Sequence, residues 1–357
     1  MSFDPNAAAA HDAGVYGLPH GPEQAAVVLL PVPFDATTSY KKGAADGPAA
    51  ILAASRQVDL YDLELGRIYE PGIAMLPSDG PYHGWNLEAR ALAAEVIDAV
   101  GHVAGDLRLE RALERVNELS ASLNARVEDD VNHWLEKGKL VALIGGDHAT
   151  PFGAIAAHAR RWPGLGVLHF DAHADLRPAY EGFTWSHASI MNNVLARLPD
   201  VAKLVSVGVR DFSEEELQIA DGHGARVSTF HDVVIQAAKR RGVPFANIAK
   251  TIAETLPREV YVSFDIDGLS PSLCPNTGTP VPGGLSLDEA LAIVEAVVES
   301  GRTIVGLDLN EVAPGPDGDE WDGNVGARLL YKLIGWALVS QKKLARPAAI
   351  ARAPELR

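Results

Sequence analysis

Apolar residues along this chain fall in short continuous runs separated by amphipathic stretches. "AAVVLLPVPFD", from Ala25 to Asp35, is the first run, and its closing prolines mark a buried strand passing into a loop. "KKGAADGPAAILAASRQV" reads as a glycine-rich loop entering a helix. The stretch 59–85 is irregular, with room for one short edge strand. From Asn86 to Lys137 the period is helical, interrupted near Gly105. The pattern then becomes regular. "KLVALIGGDHA", "GLGVLHFDAHAD", "KLVSVGVRD", "EVYVSFDIDGL" and "TIVGLDLNEV" are strands that each run into a polar loop. Helices are predicted over Pro151–Arg161, around Ser186–Arg197, over "SLDEALAIVEAVVES" and over "GNVGARLLYKLIGWALVSQKK".

Continuous Val/Ile/Leu strands alternating with helices predict an α/β protein, a three-layer α/β/α sandwich around a mostly parallel sheet. No composition shift marks a linker. Residues 1–23 are expected to form an irregular N-terminal arm, and 24–357 a single domain. In such sheets chemistry gathers beyond the carboxyl ends of the strands. The unusual polar residues of this chain fall there.

Composition narrows the partners. With 357 residues and 47% hydrophobics, the chain can bury a large core. Its 47 acidic against 31 basic residues give a net charge of −16, which argues against nucleic acid and anionic membrane as partners. The single cysteine, Cys274, excludes an internal disulfide and a thiolate-cluster metal site. The N-terminus has no basic region followed by an apolar one, and no run of about 18 apolar residues occurs. A cytoplasmic protein is expected.

Five strand ends carry polar groups that do not suit a hydrophobic core: Asp147 and His148; Asp171, His173 and Asp175; Arg210 and Asp211; Asp265 and Asp267; Asp308 and Glu311. Alternate residues of an extended segment share a side, so Asp171, His173 and Asp175 converge, as do Asp265 and Asp267. Taken singly, each motif has a bland explanation, since Asp-x-Asp at a strand end commonly caps a helix. Together, four aspartates would suppress one another's ionisation unless cations joined them. Two divalent ions neutralise four carboxylates and leave two imidazoles as neutral ligands. Such oxygen and nitrogen donors suit Mn²⁺ or Ni²⁺, and also Co²⁺ or Fe²⁺.

"GGDHAT", "DAHAD", "SFDIDGLSP" and "NTGTPVPGGLS" in this order resemble the ureohydrolase family of arginases, agmatinases, guanidinobutyrases and formiminoglutamases. The resemblance runs from "KKGAADGPAAIL" to the final helix. It implies an arginase-like sandwich with a binuclear centre, commonly of manganese and in some members nickel. One ion would be held by His148, Asp171, Asp175 and Asp265, the other by His173, Asp171, Asp265 and Asp267. Asp147 is a candidate to orient these ligands. His187 matches the histidine that passes a proton to the leaving amine, and Glu311 the glutamate that pairs with the guanidinium-type group; Asp175 is counted with them as catalytic. The implied reaction is attack of metal-bridging hydroxide on a guanidine or amidine carbon, with release of urea or an amide and an amine.

Substrate selection is expected in the loop after "DAHAD". Arg177 there would oppose the ammonium of agmatine and welcome a carboxylate such as that of formiminoglutamate. Alternatively it pairs with Glu181 or with a neighbouring subunit. Tyr180, Phe183 and Trp185 offer aromatic faces for a cation, or pack the loop. Asp211 is a further candidate substrate contact, and Trp321 and Asp322 stand where agmatinases have a shorter connection. Agmatine, guanidine, formiminoglutamate and N-methylated guanidines or biguanides such as metformin all remain open as substrates. Family members form homo-oligomers, trimers or hexamers, and some pair with a homologous chain. A non-catalytic scaffold subunit would have lost ligands, and none of the six is lost.

Overall fold

The computed structural model describes residues 3–10, 13–78 and 80–347. Strand β1 (Val27–Val32) and helix α1 (Gly47–Ser55) are followed by β2 (Ile73–Met75), α2 (Tyr82–Asp98) and α3 (Leu107–Glu136). Then come β3 (Leu140–Gly145), α4 (Phe152–Arg161), β4 (Leu165–Phe170), α5 (Ile190–Arg197) and β5 (Val201–Val207). After α6 (Glu214–Gly222), β6 (Val227–Phe230), α7 (Asp232–Arg240) and α8 (Phe245–Glu254) follow β7 (Glu259–Asp265), α9 (Leu287–Glu299), β8 (Thr303–Asn310) and α10 (Trp321–Ser340). The strands form one sheet in the order β2-β1-β3-β8-β7-β4-β5-β6. Every pairing is parallel.

The alternation of strand residues makes the three layers. Val27 and Leu29 of β1, Leu140, Ala142 and Ile144 of β3, and Val260, Val262 and Phe264 of β7 pack with α1, α8, α9 and α10. Their neighbours Val28, Leu30, Val141, Leu143 and Tyr261 pack with α2, α3, α4 and α5. The three-layer expectation is met, with two extensions. Strand β6 did not stand out in the sequence because "VSTF" is four half-buried residues without a continuous apolar run. Helix α2 begins at Tyr82, earlier than the expected Asn86, and the break before α3 is closed by Asp106, whose carboxylate accepts from the amides of Arg108 and Leu109. Both edge strands are short, which limits the unpaired backbone offered to other chains.

The arm before β1 holds one 3-10 turn, Val15–Gly17, and that turn is part of the core. Tyr16 is buried; its hydroxyl donates to the Ala327 carbonyl at 2.9 Å, and its ring lies 4.7 Å from that of Tyr331. The arm thus ties α1 to α10. Among the described residues no helix is long and apolar enough to cross a membrane.

Helices α3 and α4 meet at Gly153, where an added Cβ would lie 2.2 Å from the Asn124 carbonyl oxygen. Backbone on both sides cannot yield without separating the helices. Gly153→Ala is expected to destabilise the fold by about 3 kcal/mol, seen as a melting temperature several degrees below wild type with the secondary structure retained.

Candidate metal centre

On the face of the sheet that carries α2 to α5, the strands turn from apolar to polar near their carboxyl ends. His169 of β4, Ser206 of β5, Ser263 and Asp265 of β7, and Asp308 and Asn310 of β8 are all buried and all point to that side. Strands β3, β8, β7 and β4 are consecutive in the sheet, so residues far apart in the chain end at one place.

His148, in the loop after β3, is held at both ring nitrogens. Its Nε2 lies 2.9 Å from Ser263 Oγ, and Ser263 Oγ donates to Asp308 Oδ1 at 3.0 Å. With its proton given to Asp308, the serine accepts from Nε2–H. That leaves the Nδ1 lone pair facing Asp171 Oδ2 at 2.9 Å, Asp175 Oδ2 at 3.2 Å and Asp265 Oδ2 at 3.4 Å. Three carboxylate oxygens around an imidazole lone pair repel unless a cation or a proton lies between them. Burial alone would lower the pKa of His148, yet the carboxylates of Asp171, Asp175 and Asp265 carry it well above its ordinary value. Burial and Asp171 likewise push Asp175 up to about 8. The donor set fits a divalent cation.

A second such arrangement adjoins the first. His173 Nδ1 lies 3.1 Å from Asp267 Oδ2 and 3.3 Å from Asp171 Oδ1. Asp171 therefore turns one oxygen to each imidazole, the disposition of a bridging ligand. The carboxylates are oriented by backbone amides: Asp265 Oδ1 accepts from the Asp267 amide at 2.8 Å, and Asp267 Oδ1 from that of Ala172 at 2.9 Å. Asp175 stands in a left-handed conformation at φ 54°, and its carbonyl accepts from the amides of Met191 and Asn192 at the start of α5.

Glu311 follows β8 with φ 61°. Its Oε1 accepts from the His148 amide at 3.0 Å, while its buried Oε2 has no partner. Burial, then Asp265 and Asp147, raise its pKa well above the ordinary carboxylate value. Gly278 approaches this oxygen so closely that a Cβ there would lie 3.2 Å away. A planar cation could satisfy the free oxygen. His187 sits in a 3-10 turn capped by Ser186, with its pKa lowered to about 4 by burial and by His173. It is the neutral, proton-accepting form that this environment favours.

The other candidates lie differently. Arg177 pairs with Glu216 at 3.6 Å and stacks over Tyr180 at 5.1 Å, rather than taking up the alternative pairing with Glu181. Glu216 is the buried member of the capping box of α6, which fixes it as a partner. Trp185 meets Phe152 edge-on and carries Arg197 over its ring, and Phe183 is buried in a small cluster with α2 and α3. Phe183 is thus a core ring, and Trp185 is half-buried. Asp211 is exposed and pairs through its backbone with Ala172, beside His173. Asp147 bonds Thr37 Oγ1 and the Ala149 amide rather than a ligand ring. Asp322 is buried against the Asn276 amide and side chain, and Trp321 donates to the Ser272 carbonyl.

His169 was not singled out in the sequence. Its Nε2 lies 2.9 Å from Asp171 Oδ2 and its Nδ1 3.1 Å from Ser206 Oγ, which fixes the Asp171 carboxylate. Its two-residue spacing from Asp171 within the strand was the available signal.

Two substitutions separate the centres. Asp171→Asn is expected to abolish tight binding of both cations, whereas Asp267→Asn is expected to spare the one facing His148; metal content per chain after dialysis distinguishes them. Ser263→Ala, which frees His148 Nε2, is expected to weaken metal affinity by about 10–100-fold, measured by titration with a competing chelator.

The model of the arginase family matches residues 25–335. An N(1)-aminopropylagmatine ureohydrolase of Thermus thermophilus is 34% identical over 322 residues, 90% of this chain and 94% of that protein. An agmatinase of Bacillus subtilis is 30% identical over 87% of this chain and 92% of its own length. The crystal structure of agmatine ureohydrolase from Thermoplasma volcanium has the same fold, with a TM-score of 0.70 at 24% identity over 92% of this chain and 96% of that one. With the family model spanning nearly the whole sheet and both helical layers, this chain belongs to the arginase family.

Proposed function

We propose that this protein hydrolyses a C–N bond of a guanidino compound that ends in an amine, releasing urea and a diamine or polyamine. One observation carries the reading: two imidazole Nδ1 atoms each facing carboxylates, with the unpartnered Glu311 Oε2 buried beside them. The relatives support the class of reaction, since they are named for agmatine and N(1)-aminopropylagmatine, both guanidino compounds with an amine tail. The commitment of Arg177 to Glu216 and Tyr180 supports a cationic tail over a carboxylate one.

We assign His148, Asp171, Asp175 and Asp265 to one cation, and His173, Asp171, Asp265 and Asp267 to the other. Bound there, two divalent ions supply a water of depressed pKa and positive charge for the developing oxyanion. Mn²⁺ and Ni²⁺ both suit these donors. The rest falls to the side chains. Glu311 accepts N–H bonds from the guanidinium through Oε2 and presents its carbon to the attacking water. Gly278 leaves the space for that approach. When the tetrahedral carbon collapses, the C–N bond to the tail breaks and the amine leaves with a proton. His187, neutral at rest, takes up a proton given off by the attacking water and passes it to that amine.

Urea release from agmatine, N(1)-aminopropylagmatine, arginine, guanidinobutyrate, guanidine and dimethylguanidine, with dimethylamine release from metformin and formamide release from formiminoglutamate, tests the assignment. Turnover is expected with the amine-tailed compounds, lost with EDTA and restored by Mn²⁺ or Ni²⁺. Turnover of formiminoglutamate alone would overturn the substrate class. Glu311→Gln is expected to lower kcat/KM by about a hundredfold or more, the effect of removing one member of a buried charged pair.

A further inference from the structure

The loop after β1 is held more rigidly than its sequence suggests. Asp35, fully buried, pairs with Arg90 at 2.8 Å and accepts from Asn86 and from the amides of Gly43 and Ala45. Asn86 Oδ1 accepts from the Asp35 amide in return, and Thr38 Oγ1 donates to the Asp35 carbonyl. This clamp presents the next buried hydroxyl, Thr37, to two groups at once. Thr37 Oγ1 donates to Asp147 Oδ2 at 3.3 Å, accepts from the His187 amide at 3.3 Å, and lies 3.5 Å from His187 Nδ1.

A hydroxyl has one proton to give. With that proton on the Asp147 carboxylate, Thr37 meets His187 only as an acceptor, both at its backbone amide and at its ring. Ser186 Oγ lies 3.4 Å from the same ring nitrogen and accepts from the Ala188 amide with its own proton uncommitted, so Thr37 is the neighbour whose hydrogen is engaged elsewhere. We infer that Thr37 is a positioning residue that holds His187 in the Nδ1–H tautomer and leaves Nε2 as the nitrogen that handles the proton. The order Asp147–Thr37–His187 does through a hydroxyl what a carboxylate does when it bonds a catalytic imidazole directly. The inference rests on the proposed function in taking His187 as the proton carrier.

Two measurements test it. The first needs no turnover. In protein labelled with ¹⁵N-histidine and loaded with Mg²⁺, the His187 resonances, assigned by their loss in His187→Asn, are expected to show the Nδ1–H form. Thr37→Ser should keep that form and Thr37→Val should shift it toward the other tautomer or a mixture. A wild-type His187 protonated at Nε2, or a pattern unmoved in Thr37→Val, overturns the inference. The second is kinetic. Thr37→Val is expected to lower kcat about tenfold or more with KM within twofold, Thr37→Ser to restore it, and Thr37→Val to add nothing on a His187→Asn background. An equal loss on both backgrounds would mean that Thr37 acts elsewhere. Absence of urea from every compound would sink the hydrolase reading and leave the tautomer result standing.

Discussion

Carboxylates crowded against two imidazole nitrogens at the end of a parallel sheet are the constraint around which this molecule is organised. Asp171, Asp175, Asp265 and Asp267, with Glu311 close by, cannot all ionise in a buried space without positive charge among them. Every neighbouring element bears on that arrangement. Ser263 and Asp308 decide which nitrogen of His148 faces the carboxylates, His169 fixes Asp171, and backbone amides hold the outer oxygens of Asp265 and Asp267.

The strand order makes this affordable in a single layer. Residues from β3, β4, β7 and β8 meet because those four strands are adjacent, although β4 is separated from β7 in sequence by two further strands and four helices. The apolar halves of the same strands form the two faces of the core. Core and site therefore share each strand by face: one face packs along its whole length, while the other turns polar near the carboxyl end. Cations held there would tie distant parts of the chain together, so ligand binding and fold stability are linked.

The sheet was largely legible in the sequence because buried parallel strands are continuous apolar runs. Edge strand β6, short and half polar, lacked that signature. The metal-ligating candidates were legible because they sit at strand ends with two-residue spacing, a local pattern. Long-range partnerships were not. Nothing near Arg177 in sequence points to Glu216, whose carboxylate is set by the capping box of α6. Nor does the loop after β1 announce that Thr37 lies against His187, 150 residues away. For Phe183 and Trp185 the sequence left binding and packing both open, because one-dimensional patterning cannot tell a ring facing a ligand from one facing another helix.

Asp175 and Glu311 share a backbone feature whose meaning reaches past geometry. Both adopt left-handed conformations with full side chains, at φ 54° and 61°, where glycine would rest without steric cost. At these two positions the local backbone favours a residue with no side chain, yet each holds a buried carboxylate of the crowded site, so what suits the backbone and what builds the site pull in opposite directions.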